Sequence, residues 1–187
     1  VTNLVLFAGM PGSGKTTLAR MFARHLCVPI LAKDRVQRVL RDRKLAPDNT
    51  GDGYYVILDQ ADEQLALGVS VVLDAVFPID HFRQVASDIA IKHQANFSAV
   101  YCYCSDDKIW RERMEQRVQY VPDWKMATWA DVVRVRSYYV PWGDNALMID
   151  SLKPPEENFT HILDYVQHTT PRPYSPVQPV TDGDKTA

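Results

Sequence analysis

What the chain lacks narrows its reading first. Nowhere in its 187 residues does an apolar run approach the roughly 18 residues that a membrane-spanning helix needs. It also lacks a charge imbalance. Its 21 Lys and Arg stand against 23 Asp and Glu, a formal net charge of -2, so no overall basic field exists to drive non-specific nucleic-acid binding. Any anion site must be local. Cysteine is scarce: Cys27, Cys102 and Cys104 make an odd count of three, which, in a chain read as carrying no signal peptide, argues for reduced thiols and a cytoplasmic location. Cys102 and Cys104 alternate inside the apolar run "FSAVYCYC". They are expected to share one strand face and pack as small hydrophobes rather than hold a metal. The first residue is Val1 rather than Met, which leaves room for residues upstream. No internal repeat is present.

With 46% hydrophobic and 24% charged residues, the chain fits one globular domain with a real core. The run "LVLFA", Leu4 to Ala8, ends at Gly9 and reads as a strand buried on both faces. Lys15 to Leu26 reads as a helix, with Leu18, Met21, Phe22 and Leu26 at helical spacing. The alternation repeats: "VPIL" with a helix over Asp34 to Lys44, "VSVVLD" with Asp80 to about Gln94, "FSAVYCYC" with "DDKIWRERMEQRV", and "ALMID" with Glu156 to about His168. Such alternation predicts a parallel sheet with helices on both faces. "YYVILDQADEQLAL" mimics a strand ending in acidic residues, yet Tyr54, Ile57, Leu58, Ala61 and Leu65 step by three and four. It therefore reads as a helix with Asp62 and Glu63 on a solvated face. From Thr169 onward, Pro171, Pro173, Pro176 and Pro179 interrupt a stretch of little apolar content, which is expected to be disordered or loosely packed.

The chemistry starts in "GMPGSGKTT". Gly9, Gly14, Lys15 and Thr16 fit GxxxxGK(S/T) with a strand before and a helix after. In such a loop the backbone amides over Pro11, Gly12, Ser13, Gly14, Lys15, Thr16 and Thr17 converge on phosphate oxygens at a positive helix end. Lys15 is then placed to bridge the terminal phosphates and the Thr16 hydroxyl to coordinate magnesium, making ATP and Mg2+ the expected ligands. A dinucleotide loop would need a third glycine after Gly12-Ser13-Gly14, and a protein kinase would need His-Arg-Asp and Asp-Phe-Gly runs; none is present.

Asp34 lies just beyond the second strand, where ligands of open parallel sheets sit. It is a candidate base for an attacking hydroxyl or a cap of the helix it opens. Asp74 ends the third strand and can hold magnesium through water, orient a substrate or act as base; the alternative is a structural bond to nearby amides. Ala75 follows it, so the Asp-Glu pair that polarises water in many ATPases is missing. Arg113 and Arg117, four apart on one helix face, precede a segment with Pro122, Trp124 and Trp129 that can form a lid. Closure would bring guanidinium groups to the transferring phosphate and exclude water. Pairing of Arg113 with Glu112 or Glu115 is the alternative.

Together, the phosphate loop, Asp34, Asp74 and the Arg-x-x-x-Arg pair resemble the P-loop kinase group that includes the phage polynucleotide kinase domain, gluconate kinase, chloramphenicol phosphotransferase and the zeta toxins. The resemblance runs from about Asn3 to Gln167. It implies a three-layer α/β sandwich with a five-stranded parallel sheet of order 2-3-1-4-5, a domain over 1–168 with a lid near 117–130, and a flexible Pro-rich tail over 169–187. It implies further that "KDR" places the base at Asp34, that Arg113 and Arg117 are lid arginines on the donor phosphates, and that Ser151 to Pro155 lies near the adenine. Two stretches depart from the phage kinase: Gln37 stands where it has Arg, and Ala75 and Val76 follow Asp74 where it has polar residues that meet the acceptor.

Arg35, Arg38, Arg41, Arg43 and Lys44 face a single Asp42 on the helix after Asp34. This is either a solvated face or, through Arg35 and Arg38 with Asp74, a grip on an acceptor. The charge balance and the two departures favour a small hydroxyl-bearing molecule over a 5'-hydroxyl polynucleotide end. A switch or ATPase module without an acceptor is the reading from another class. Oligomeric state is not legible.

Overall fold

The computed structural model describes residues 1–45, 51–116, 126–168 and 173–176. Five parallel strands, β1 (Asn3–Ala8), β2 (Ile30–Ala32), β3 (Val71–Asp74), β4 (Asn96–Tyr103) and β5 (Leu147–Asp150), form one sheet in the order β2-β3-β1-β4-β5, as expected. Between them run α1 (Lys15–Leu26), α2 (Lys33–Asp42), α3 (Asp52–Ala66), α4 (Asp80–Lys92), α5 (Asp107–Glu115) and α6 (Trp129–Arg136), with α7 (Pro155–His168) after β5.

Alternation along the buried strands separates two cores. Leu4, Leu6 and Ala8 of β1 face Ile57, Leu58 and Ala61 of α3 and Ala86 and Ala90 of α4. Val5 and Phe7 face Leu18 and Phe22 of α1 and Ile162 and Val166 of α7. Because side chains in a strand point to opposite faces in turn, a continuous apolar run serves both layers. The helical reading of Tyr54 to Leu65 holds for the same reason. Asp62 sits on the outer side, where it accepts from Lys92 Nζ at 2.7 Å and pairs with His93 Nε2 at 2.6 Å.

Four expectations need correction. Cys102 and Cys104 are both buried and free, but β4 ends at Tyr103, so Cys102 packs with α1 and α7 whereas Cys104 packs with Trp110 and Met114. Burial in that apolar layer pushes the Cys102 thiol up to about 12. Asp34 makes no side-chain cap; Ala32 occupies the N-cap position of α2, and Asp34 lies in the first turn. Trp129, assigned to the lid, opens α6, where Thr128 and Asp131 form a reciprocal capping box. The remainder of the expected lid, 117–125, lies outside the described residues.

The fourth correction concerns the tail. Within Pro173–Pro176, Tyr174 is 4% exposed and packs in the α3–α4 core. Its backbone N–H donates to Ser87 Oγ at 2.8 Å and its hydroxyl to Asp80 Oδ1 at 2.5 Å. The anchor is Arg83, fully buried. Its guanidinium donates to Phe77 O at 2.9 Å, Val140 O at 2.7 Å, Pro141 O at 3.1 Å and Tyr174 Oη at 3.3 Å. Asp80 stands 3.4 Å away as counter-ion, and the Trp142 ring lies 4.0 Å beneath. Composition pointed to disorder because a single aromatic docked on a buried cation leaves no periodic signal. Removing that cation strands three backbone carbonyls in an apolar surrounding. Arg83→Met is expected to lower the unfolding free energy by about 3 kcal/mol in urea titration; a loss near zero would show that the cage contributes nothing to stability.

Candidate active site

Strand register builds the site. Phe7 pairs with Asp74 across β1 and β3, so the carboxylate at the end of β3 stands beside the loop that leaves β1. There Thr16 Oγ1 donates to Asp74 Oδ1 at 3.2 Å. Asp74 is 5% exposed. Burial raises its carboxyl above the ordinary 3.8; Lys15 and the Thr16 bond oppose that rise and the charge of Asp34 adds to it. Lys15 is itself buried, 6% exposed, at the start of α1.

The loop from Gly9 to Gly14 has little freedom. At Gly9 (φ +143°) an added Cβ would stand 2.2 Å from Cys102 O, and at Gly12 (φ +82°) it would stand 2.6 Å from Met114 Cγ. Glycine alone tolerates both the backbone conformation and the close approach. Ser13 N–H donates to Met10 O at 3.2 Å. The amides of Gly12, Gly14, Lys15 and Thr16 have no protein acceptor among the described residues. The Ser13 hydroxyl is buried and also lacks a partner there. A run of unused donors at the N-terminus of a twelve-residue helix fits an anion. Pro11 offers only its carbonyl, which accepts from Trp110 Nε1 at 3.0 Å. Thr17 is exposed on the first turn of α1.

Asp34 stands at the opening of α2, its side chain 58% exposed, with Lys33 Nζ 3.8 Å from Oδ1. Lys33 lies over the Tyr54 ring at 5.4 Å. Asp34 and Asp74 thus share one end of the sheet, and the charge of Asp34 reaches Asp74. Arg35 is exposed and Arg38 sits 3.9 Å from Asp42. Gln37 is buried, its Oε1 accepting from Gly53 N–H at 3.3 Å. It fastens α3 to α2.

Arg113 does not pair with Glu112 or Glu115. Arg111 Nε takes Glu115 at 3.5 Å, while Arg113 Nη1 donates to Ser151 O at 2.9 Å and Ser151 Oγ at 3.3 Å. Ser151 in turn lies next to the phosphate loop, its Cβ 3.3 Å from where a Cβ on Gly14 would stand. Arg117 lies outside the described residues.

The segment after Asp74 is held from all sides. Val76 O accepts from Tyr139 Oη at 2.9 Å and from Gly9 N–H at 3.4 Å, and Phe77 N–H donates to Tyr54 Oη at 3.0 Å. Phe77 itself is buried at φ +48°, a conformation costly for a bulky residue, with Arg83 clasping its carbonyl. Sequence reasoning missed these supports and Trp110. The signal available for Trp110 was an indole inside an apolar helix stripe, since a buried indole N–H needs an acceptor.

Raised above its ordinary value, the Asp74 carboxyl lowers stability, a cost that grows as pH rises above 3.8 and disappears as pH falls through that value. Asp74→Asn is therefore expected to raise the melting temperature of the nucleotide-free, magnesium-free protein at pH 7 by about 3 °C, with the gain vanishing near pH 4. A variant less stable than wild type at pH 7 would contradict this.

Known proteins share this fold. The model of AAA_33, an AAA domain, matches residues 4–137. The structure of a putative kinase from Chloroflexus aurantiacus is similar at 21% identity, covering 90% of this chain and 98% of that one, with a TM-score of 0.68. A gluconokinase from Sinorhizobium meliloti shares 18%, covering 89% and 91%, at 0.62. The APS kinase CysC of Mycobacterium tuberculosis, solved with AMPPNP and APS, shares 17%, covering 89% and 98%, at 0.64. No curated protein matches. Matched by that domain model over residues 4–137, the chain belongs to the AAA-domain family AAA_33, and it shares its fold with these structures.

Proposed function

We propose that this protein is a kinase that moves the γ-phosphoryl of magnesium-ATP to a hydroxyl of a small molecule, with Asp34 as the base. The observation that carries the reading is the meeting of Thr16 with Asp74 beside Lys15, with Asp34 close enough to be felt by Asp74. The loop amides and Lys15 bind and orient the phosphates. A hydroxyl and a carboxylate are hard oxygen donors of the kind magnesium takes, so Thr16 and Asp74 fit it, Asp74 through water. When bound, that ion neutralises charge on the β- and γ-phosphates.

The acceptor oxygen forms its bond to the γ-phosphorus as the bond to the β–γ bridging oxygen breaks. Its proton passes to Asp34, and ADP leaves. Lys33, lying over the Tyr54 ring, stands beside Asp34 as its counter-charge. Arg113, bonded to Ser151, keeps the loop after β5 against Gly14 as a wall for the nucleotide. Arg117 and the segment that follows it complete the proposal as lid elements that exclude water. Arg35 and Arg38, on the rim of α2, are proposed to meet an acidic part of the acceptor.

A small acceptor fits the site better than a polynucleotide end. Gln37 is buried and accepts from Gly53 N–H, and Ala75 is buried, so two of the positions that depart from the phage kinase offer no exposed polar group to a nucleic-acid end. The gluconokinase and APS kinase it resembles are named for small substrates. A switch without acceptor finds no Asp-Glu pair at the end of β3 to support it.

Asp34→Asn is expected to slow phosphoryl transfer by about 100-fold or more while nucleotide affinity stays near wild type, as read by coupled ADP release over an alcohol acceptor panel and by calorimetric titration. Retained activity would move the base to Asp74. Equal ADP release with and without every acceptor would favour the switch.

A further inference from the structure

We infer that Trp110 is a positioning residue for the nucleotide phosphates, acting through the Pro11–Gly12 peptide; the inference rests on the nucleotide-binding reading of the loop and extends it to α5.

Trp110 is 3% exposed on the inner face of α5, and its indole N–H donates to Pro11 O at 3.0 Å. The chain has no cis peptide bond among the described residues, and a trans peptide is planar with its C=O and N–H on opposite edges. Fixing Pro11 O toward α5 therefore turns the Gly12 N–H to the opposite edge of the peptide, away from α5. That N–H has no protein acceptor among the described residues. Met114, one turn along α5, closes the same contact by packing where a Cβ on Gly12 would be. A loop peptide free to flip would lose one aimed donor and pay conformational entropy on binding; the indole removes that freedom beforehand.

The indole is itself held. Trp129 of α6 meets it edge-on at 5.6 Å. The Arg136 guanidinium lies 5.4 Å from the Trp110 ring centroid and takes both oxygens of Asp107 at 2.7 and 2.9 Å. These contacts bind α5 and α6 into one block, and Trp110 is where that block grips the phosphate loop. Trp129 shares the packing but makes no bond to the loop among the described residues. The two indoles therefore give a matched pair: removing either shrinks the cluster, and only one removal frees Pro11.

Trp110→Phe keeps a ring and deletes the donor. In calorimetric titration with magnesium and ADP, it is expected to weaken affinity about tenfold, while Trp129→Phe stays within about twofold of wild type and both variants melt within a few degrees of each other. Equal losses in the two variants, or none in Trp110→Phe, would overturn the inference. Should Trp110→Phe fail to fold, the indole N–H signals of the wild type carry the test. The Trp110 signal is expected to shift on adding magnesium and ADP, while that of Trp142, bonded to Tyr139 Oη at 3.0 Å, stays in place; an unmoved Trp110 signal would overturn the inference. A wild type that binds no ADP would overturn the nucleotide reading itself, which distinguishes the two failures.

Discussion

One contact organises the molecule: the hydrogen bond from Thr16 to Asp74, which joins the first turn of α1 to the end of β3. It exists because β1 and β3 pair in parallel with Phe7 opposite Asp74, so both chains reach the same edge of the sheet together. The price is a carboxylate buried among apolar neighbours. Lys15 and Thr16 relieve only part of that burial. A carboxylate held this way is poised for a cation and for phosphate ligands, which suits chemistry at the end of the loop.

Around that contact the fold invests its polar groups in backbone geometry. Tyr54, Tyr139 and Arg83 each bond to Val76 or Phe77, fixing the chain just past Asp74 in a left-handed turn. Trp110 does the same for Pro11 on the other side of the loop. Both walls of the site are thus set by side chains that lie behind it. The chain end takes part through Tyr174, so the sheet edge, α4 and the last described segment form one packed unit.

The layers were legible in the sequence because strand and helix periods differ and each buried run keeps its own. The loop was legible because glycines, Lys15 and Thr16 occur at a spacing that few other structures require. Asp34 and Asp74 could be picked out by their places at strand ends. The supports could not: Arg83 reads as one charge on an otherwise ordinary helix, and its burial depends on Trp142 and Tyr174 arriving from far along the chain. Gln37 looked like a missing acceptor contact and proved to be a helix fastener. Arg113 was expected among glutamates or phosphates, and its bond to Ser151 depends on β5 lying next to β4, which spacing within one helix does not report.

The most direct test of the site is calorimetric titration of the wild-type protein with a non-hydrolysable ATP analogue, once with magnesium and once with the metal chelated. If Thr16 and Asp74 seat the metal with the nucleotide, affinity rises by at least about tenfold when magnesium is present. Binding that ignores magnesium, or no binding at all, would contradict the central claim.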